Sequence, residues 1–257
     1  LTAISYFYRD LLLFMTTSFI SKKPIPINER LIMALDVPSI DQAKTLVEQL
    51  DDTVTFYKVG MELFMSGDYF GFIDWLKKQQ KKVFVDLKFF DVPATVGRAI
   101  AALSQKDVAF ATIHGNDAIM QAAADNKGHL KVLAVTALTS LDRGDLNDLG
   151  FECDVRALVL SRAKRALAIG CDGIVSSGLE APMLREALDH KLLIITPGVR
   201  PVDNCEADDQ KRIVTPEIAF ENGADYIVVG RPIRDAKNPK EAAKLMQSKI
   251  TTIFSAT

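Results

Sequence analysis

LIMALDVPSIDQAKTLVEQLDDTVTFYKVG, residues 31–60, holds the pattern that decides the fold. Leu31–Asp36 is a short apolar run ending in a carboxylate. Ser39 then stands as a helix cap before Ile40, Ala43, Leu46 and Val47, which recur at helical spacing as far as Leu50. A second apolar run, Thr55–Gly60, follows. Each run is too short for a helix and is continuously apolar, as expected of a strand buried on both faces. The unit is strand, helix, strand.

The unit recurs outward along the chain. Further strands are expected at Val83–Lys88, Val108–His114, Val132–Leu138, Asp172–Ser176, Leu192–Thr196 and Asp225–Gly230. Amphipathic stretches lie between them at Phe70–Lys78, Pro93–Ser104, Asp117–Ala124, Val155–Ile169, Ala181–Leu188, Pro216–Asn222 and Pro239–Ser248. Pro93, Pro216 and Pro239 suit a first helical turn, and Gly170 and Gly223 follow helices as C-terminal caps. Eight such units, with no linker between residues 28 and 250, predict an α/β fold with a single (β/α)8 TIM barrel. A doubly wound open sheet is the alternative, but it gathers its ligand at one crevice. Here polar residues are spread over nearly every strand end. The longest irregular stretches, Thr139–Cys153 and Arg200–Val214, have the length of functional loops.

Composition narrows the class of partner. Of 257 residues, 48% are hydrophobic and 25% charged, which excludes disorder and a coiled coil. Lys and Arg number 31 against 33 Asp and Glu, a net charge of −2 that gives no reason to expect nucleic acid or a membrane surface. Cys153, Cys171 and Cys205 are far apart with no C-x-x-C, which argues against a disulfide scaffold or zinc site and suits a reducing, cytoplasmic location. Residues 1–20 are rich in apolar and aromatic side chains, but Arg9 and Asp10 interrupt any membrane span, and as a signal peptide the stretch lacks a basic n-region and its apolar run Leu11–Met15 is short. Residues 1–28 are read as an N-terminal extension and 29–257 as the barrel domain. A more polar stretch opens at Met15, so residues 1–14 are read as an upstream translation or cloning artefact.

In a barrel the strand ends share one rim, where active sites sit. The first strand ends in Asp36, the second carries Lys58, the third holds Asp86 and Lys88, and the fourth ends at His114. Thr139 and Ser140 follow the fifth, Ser176 and Ser177 the sixth, Thr196-Pro-Gly-Val-Arg200 the seventh, and Gly230-Arg231 the eighth. Ionisable groups on three consecutive strands are the unusual feature. In Val85-Asp86-Leu87-Lys88-Phe89-Phe90-Asp91, Asp86 and Lys88 stand two apart and so face one side of a strand. If that side is the barrel interior they must be paired, because desolvating a lone charge costs several kcal/mol. Lys58 and Asp91 would complete an alternating Lys–Asp–Lys–Asp array. Such an array holds a lysine protonated and aimed as a proton donor, and sets carboxylate charge beside an anionic reacting group. A structural ion-pair network at the rim is the other reading of the same spacing.

Thr215, Gly230 and Arg231, with Gly198, suggest phosphate binding after the last two strands. A glycine turn with a surface arginine accounts equally well for Val-Val-Gly-Arg-Pro. His114, His129 and His190 lack metal-ligand spacing, so no metal site is expected.

Asp86-Leu-Lys88-Phe-Phe-Asp91 forms a D-x-K-x-x-D signature followed by Val-Pro-Ala-Thr95-Val. With it come Leu35-Asp36-Val37, Tyr57–Gly60, Ala134–Ser140, Pro197–Arg200, Asp208–Arg212 and Val228–Ile233, in order over residues 29–250. Together these motifs resemble the orotidine 5′-phosphate decarboxylase family of bacterial type. The resemblance implies decarboxylation of orotidine 5′-phosphate to UMP, the last step of de novo pyrimidine synthesis, with no metal or organic cofactor. It implies that Lys88 protonates C6 while Asp86 and Asp91 flank the departing carboxylate and Lys58 completes the array. Asp36 and Thr95 would meet the ribose and Thr139 the pyrimidine edge. Gln210, Gly230 and Arg231 would hold the phosphate with Arg200 close by. The resemblance further implies a homodimer in which Asp91 and Thr95 act in the partner subunit's site. Two rivals remain open: a sugar-phosphate decarboxylase or aldolase-type relative using Mg²⁺, and a non-catalytic nucleotide-binding barrel.

Overall fold

Each of the apolar runs forms a strand: β1 Leu31–Ala34, β2 Phe56–Gly60, β3 Lys82–Phe89, β4 Phe110–His114, β5 Lys131–Val135, β6 Gly173–Val175, β7 Leu193–Thr196 and β8 Tyr226–Val229. The computed structural model describes residues 19–201 and 213–255. Neighbouring strands pair in parallel in chain order, and β8 pairs back onto β1 through Ile32↔Val228, so the barrel is closed. The open doubly wound sheet is thereby excluded. β1, β5 and β6 stop short of the apolar runs that predict them. Beyond the last residues of β1 and β5, Leu35, Val37 and Ala137 are nevertheless buried in the core.

The helices form where their stripes predict them. Ser39 Oγ accepts from the Gln42 amide at 3.2 Å, and Gly170 closes Val155–Ile169 in the left-handed conformation with φ +97°. The last helix runs on from Pro239 to Ser255, beyond the expected Ser248. Its stripe continues through Ile250, Ile253 and Phe254, and the Phe254 ring packs on Phe220 at 5.1 Å. Three short helices occupy expected loops: Met61–Phe64, Arg143–Asp148 and Arg231–Arg234. The second is held by a reciprocal box in which the Asp142 and Asp145 carboxylates each accept the other's amide. Among the described residues, no helix is long and apolar enough to cross a membrane.

Two apolar layers hold the barrel. The outer one lies between strands and helices; the inner one fills the barrel with Ile32, Phe56, Phe84, Phe110, Leu133, Ile195, Tyr226 and their neighbours. Phe110 meets Phe56 at 5.1 Å and Tyr226 edge-on at 5.2 Å, so rings plug the lower barrel.

Beneath that plug lies an ion-pair cluster centred on Asp225. Its carboxylate accepts from Arg185 at 2.8 Å, Lys23 at 2.9 Å and the Ile194 amide at 2.9 Å, and also from the Ser21 hydroxyl. These bonds tie residues 21–23 to the barrel floor. Burial opposes the charge on Asp225, but Arg185 and then Lys23 outweigh it and hold the carboxyl below its ordinary value. Removing one partner of such a pair strands the other. Asp225→Ala is therefore expected to lower the unfolding free energy by about 3–5 kcal/mol in denaturant titrations at neutral pH. Because the folded-state value is depressed, this contribution is complete above the ordinary carboxylate range and lost as pH falls through the depressed value. Wild-type and variant stabilities should converge in acid; a constant gap, or none at neutral pH, would contradict this role.

Candidate active site

On the inward face of the first four strands, residue type changes within one step of two. Ile32 and Ala34 lead to Asp36, Phe56 to Lys58, Phe84 to Asp86, and Phe110 to Thr112. The apolar layer thus becomes a floor, and the polar side chains stand directly above it. Lys58 Nζ lies 3.0 Å from Asp36 Oδ1 and 3.3 Å from Asp86 Oδ2, and Lys88 Nζ lies 2.9 Å from Asp86 Oδ2. The contacts form one chain, Asp36–Lys58–Asp86–Lys88. Burial opposes the charge of Lys58, but Asp86 and Asp36 reverse that and raise its pKa. Burial likewise opposes ionisation of Asp86; Lys58 and Lys88 overcome it and hold the carboxyl below its ordinary value. At neutral pH both are charged.

A cavity of about 560 Å³ opens above this chain. Asp36, Lys58, Asp86 and Lys88 line one side, with Thr139, Ser140, Arg200, Gly230, Arg231 and Arg234 around the remainder. The ammonium of Lys58 fills the space between the two carboxylates. Among the described residues, no group of three or more His, Cys, Asp or Glu is arranged to hold a metal. Gly198, at φ +72°, supplies the left-handed turn after β7 that a side chain would strain. Just beyond it, the Arg200 amide donates to Val214 O at 3.0 Å. The two ends of the irregular stretch Arg200–Val214 are thus joined, while Gln210 lies outside the described residues.

The comparison with known proteins follows the same outline. Residues 29–246 match the family model described as Orotidine 5′-phosphate decarboxylase / HUMPS family. The chain belongs to that family. An orotidine 5′-phosphate decarboxylase from Methylococcus capsulatus is 68% identical over 239 residues, covering 93% of this chain and 99% of that protein. The crystal structure of the Lactobacillus acidophilus decarboxylase superposes with a TM-score of 0.76 at 34% identity, covering 86% of this chain and 99% of its own. The Methanocaldococcus jannaschii decarboxylase, solved in complex with the inhibitor BMP, gives a TM-score of 0.68 at 27% identity, with 86% and 98% covered.

Within this orotidine 5′-phosphate decarboxylase / HUMPS framework, most of the expected residues meet at one cavity, while Asp91, Thr95 and Thr215 do not line it. Asp91 is exposed, and its carboxylate accepts the adjacent Val92 amide at 2.5 Å. Thr95 sits half-buried on the helix Pro93–Ser104, 3.4 Å from an Arg98 nitrogen. Neither lines the cavity of its own chain; Asp36 takes the fourth place in the array. Thr215, read with the phosphate group, accepts the Ile218 amide at 3.2 Å and caps a helix. The His114 ring lies 4.5 Å from that of Phe90, tilted by 37°, and burial, then Arg162 and Lys88, push its imidazole below the ordinary value.

Sequence reasoning missed Thr112 and Arg234. Thr112 is a fully buried hydroxyl within an apolar strand, a signal visible in Phe110-Ala-Thr-Ile-His114. Arg234 lies three residues after Arg231 on one helical turn, and its guanidinium donates to the Asp36 carbonyl.

Proposed function

We propose that this protein converts orotidine 5′-phosphate to UMP and carbon dioxide, with Lys88 as the proton donor. Family membership and the near full-length match to named decarboxylases make it a carbon–carbon lyase of the carboxy-lyase class. The observation that carries the mechanism is the 2.9 Å contact of Lys88 Nζ with Asp86 on the cavity wall. When the C6–carboxylate bond breaks, its electron pair stays on C6 in a vinylic carbanion that the ring does not easily delocalise. A fixed ammonium beside C6 stabilises that charge and then transfers a proton to it. Asp86 and Lys58 need no reorganisation during the step, because their partners are already in place. The substrate's own carboxylate meets Asp86 only before carbon dioxide leaves, which favours departure.

Arg200, Gly230 and Arg231 hold the 5′-phosphate across the cavity, and its binding energy keeps the pyrimidine against Lys88. Asp36 meets the ribose and Thr139 the base. Asp91 and Thr95 complete the site of a partner subunit in a homodimer. In support, Phe90 and Val92 beside Asp91 are 65% and 63% exposed, and Met61 and Met65 on the preceding rim loop are 63% and 77% exposed. Apolar side chains gathered on adjacent loops in this way suit a subunit contact. The enzyme works in the reducing cytoplasm, where Cys153 and Cys171 stay free thiols.

Product analysis tests the reaction. Purified protein should convert orotidine 5′-phosphate to UMP and carbon dioxide in equal amounts; turnover of a sugar phosphate without attack on the nucleotide would replace this reading with that of a relative on the same barrel.

A further inference from the structure

Asp86 and Lys88 meet through an irregularity that an ordinary strand does not supply. β3 and β4 pair at Val85↔Ala111 and next at Phe89↔Ile113, so Asp86, Leu87 and Lys88 stand opposite Thr112 alone. Lys88 has φ +49°, in the left-handed region that residues other than glycine rarely enter. Its backbone amide donates to Thr112 Oγ1 at 2.9 Å. That same oxygen lies 2.9 Å from Asp86 Oδ1. A hydroxyl carries one proton, and here its oxygen already accepts from an amide, so the proton is directed to the carboxylate. Asp86 is therefore held on both oxygens, Oδ1 by Thr112 and Oδ2 by the two lysines.

We propose that Thr112 is a positioning residue for the decarboxylation: one buried hydroxyl locks the Lys88 backbone in its bulged conformation and fixes the plane of the Asp86 carboxylate. This rests on the function proposed above. Thr112 is fully buried and does not line the cavity, so it acts on the substrate only through its two neighbours. A bulge beside a site re-aims a side chain, and a strained backbone persists only where its surroundings hold it. The terminal torsion of an aspartate is soft, so without the Oδ1 donor only the lysine contacts at Oδ2 are left to hold the carboxylate plane. The lost amide acceptor frees Lys88 at the same moment. Burial opposes the Asp86 charge, and after Lys58 and Lys88 the Thr112 hydrogen bond is among the contacts that sustain it.

Two substitutions separate the hydroxyl from the methyl group. Thr112→Val keeps the branched shape and removes both hydrogen bonds, whereas Thr112→Ser keeps the hydroxyl. Thr112→Val is expected to lower kcat on orotidine 5′-phosphate about 10²-fold, as a misplaced reacting group does. KM, and inhibition by added UMP, should stay near wild type because the phosphate end is untouched. Thr112→Ser should recover most of the rate. A wild-type kcat in Thr112→Val overturns the proposal, and so does equal damage in both variants. A fall in kcat matched by a rise in KM and a lower thermal midpoint also overturns it, since packing would then be the residue's role. Wild-type protein run beside them separates the two layers: if it leaves orotidine 5′-phosphate unconsumed, the function fails and this inference with it.

Discussion

Lys88→Ala is expected to bind UMP much as the wild type does while turning over orotidine 5′-phosphate about 10⁴-fold more slowly or worse. Two contributions vanish together. A positioned general acid is worth about 10²–10⁴-fold, and a preorganised charge at the developing carbanion adds about 10²–10³-fold more. The ground state suffers less, because Asp86 keeps Lys58 at 3.3 Å and Thr112 at 2.9 Å, and the cationic far side of the cavity is unchanged. Steady-state rates with UMP as a competitive inhibitor distinguish the outcomes. Wild-type turnover would remove the role of Lys88. Loss of UMP inhibition along with turnover would show a damaged cavity instead of a missing proton donor.

The second large effect concerns Asp91. It does not line the cavity of its own chain and stands between exposed Phe90 and Val92, so under the proposed shared site it would act in the partner subunit. Asp91→Ala alone and Lys88→Ala alone should each be nearly inactive. Mixed after dissociation and reassociation, they should regain about a quarter of wild-type activity per chain. Random pairing makes half the dimers hybrid, and one of the two sites in each hybrid then has both an intact Lys88 and an intact Asp91. A mixture no more active than its components would place Asp91 outside any shared site.

Much of this was legible in the chain. Continuous apolar runs report strands buried on both faces, so the barrel follows from residues such as Leu31–Ala34 and Tyr226–Val229 without knowledge of any contact. The inward positions Asp36, Lys58 and Asp86 follow from alternation, because Ile32, Phe56 and Phe84 lie below them on the same face. Alternation also brings Lys88 beside Asp86, but the premise differs from the structure. The strand is bulged between them, and Lys88 reaches Asp86 from a left-handed backbone held by Thr112. No periodicity announces a bulge, since it depends on what the neighbouring strand offers. Within one chain, the carboxylate found on the other side of Lys58 is Asp36, which alternation places on the same inward face. Thr215 shows the converse: a polar residue after a strand with a helix behind it reads equally as a ligand contact and as a cap, and the Ile218 amide decides for the cap.

On the proposed reading, the array of Asp36, Lys58, Asp86 and Lys88, completed by Asp91 of the partner subunit, decarboxylates the nucleotide without a metal ion. Spectrophotometric consumption of orotidine 5′-phosphate by the wild-type protein, in excess EDTA, tests that most directly. The predicted result is complete conversion to UMP at a rate unchanged by the chelator. No conversion, or conversion that stops with EDTA and returns with Mg²⁺, would contradict it.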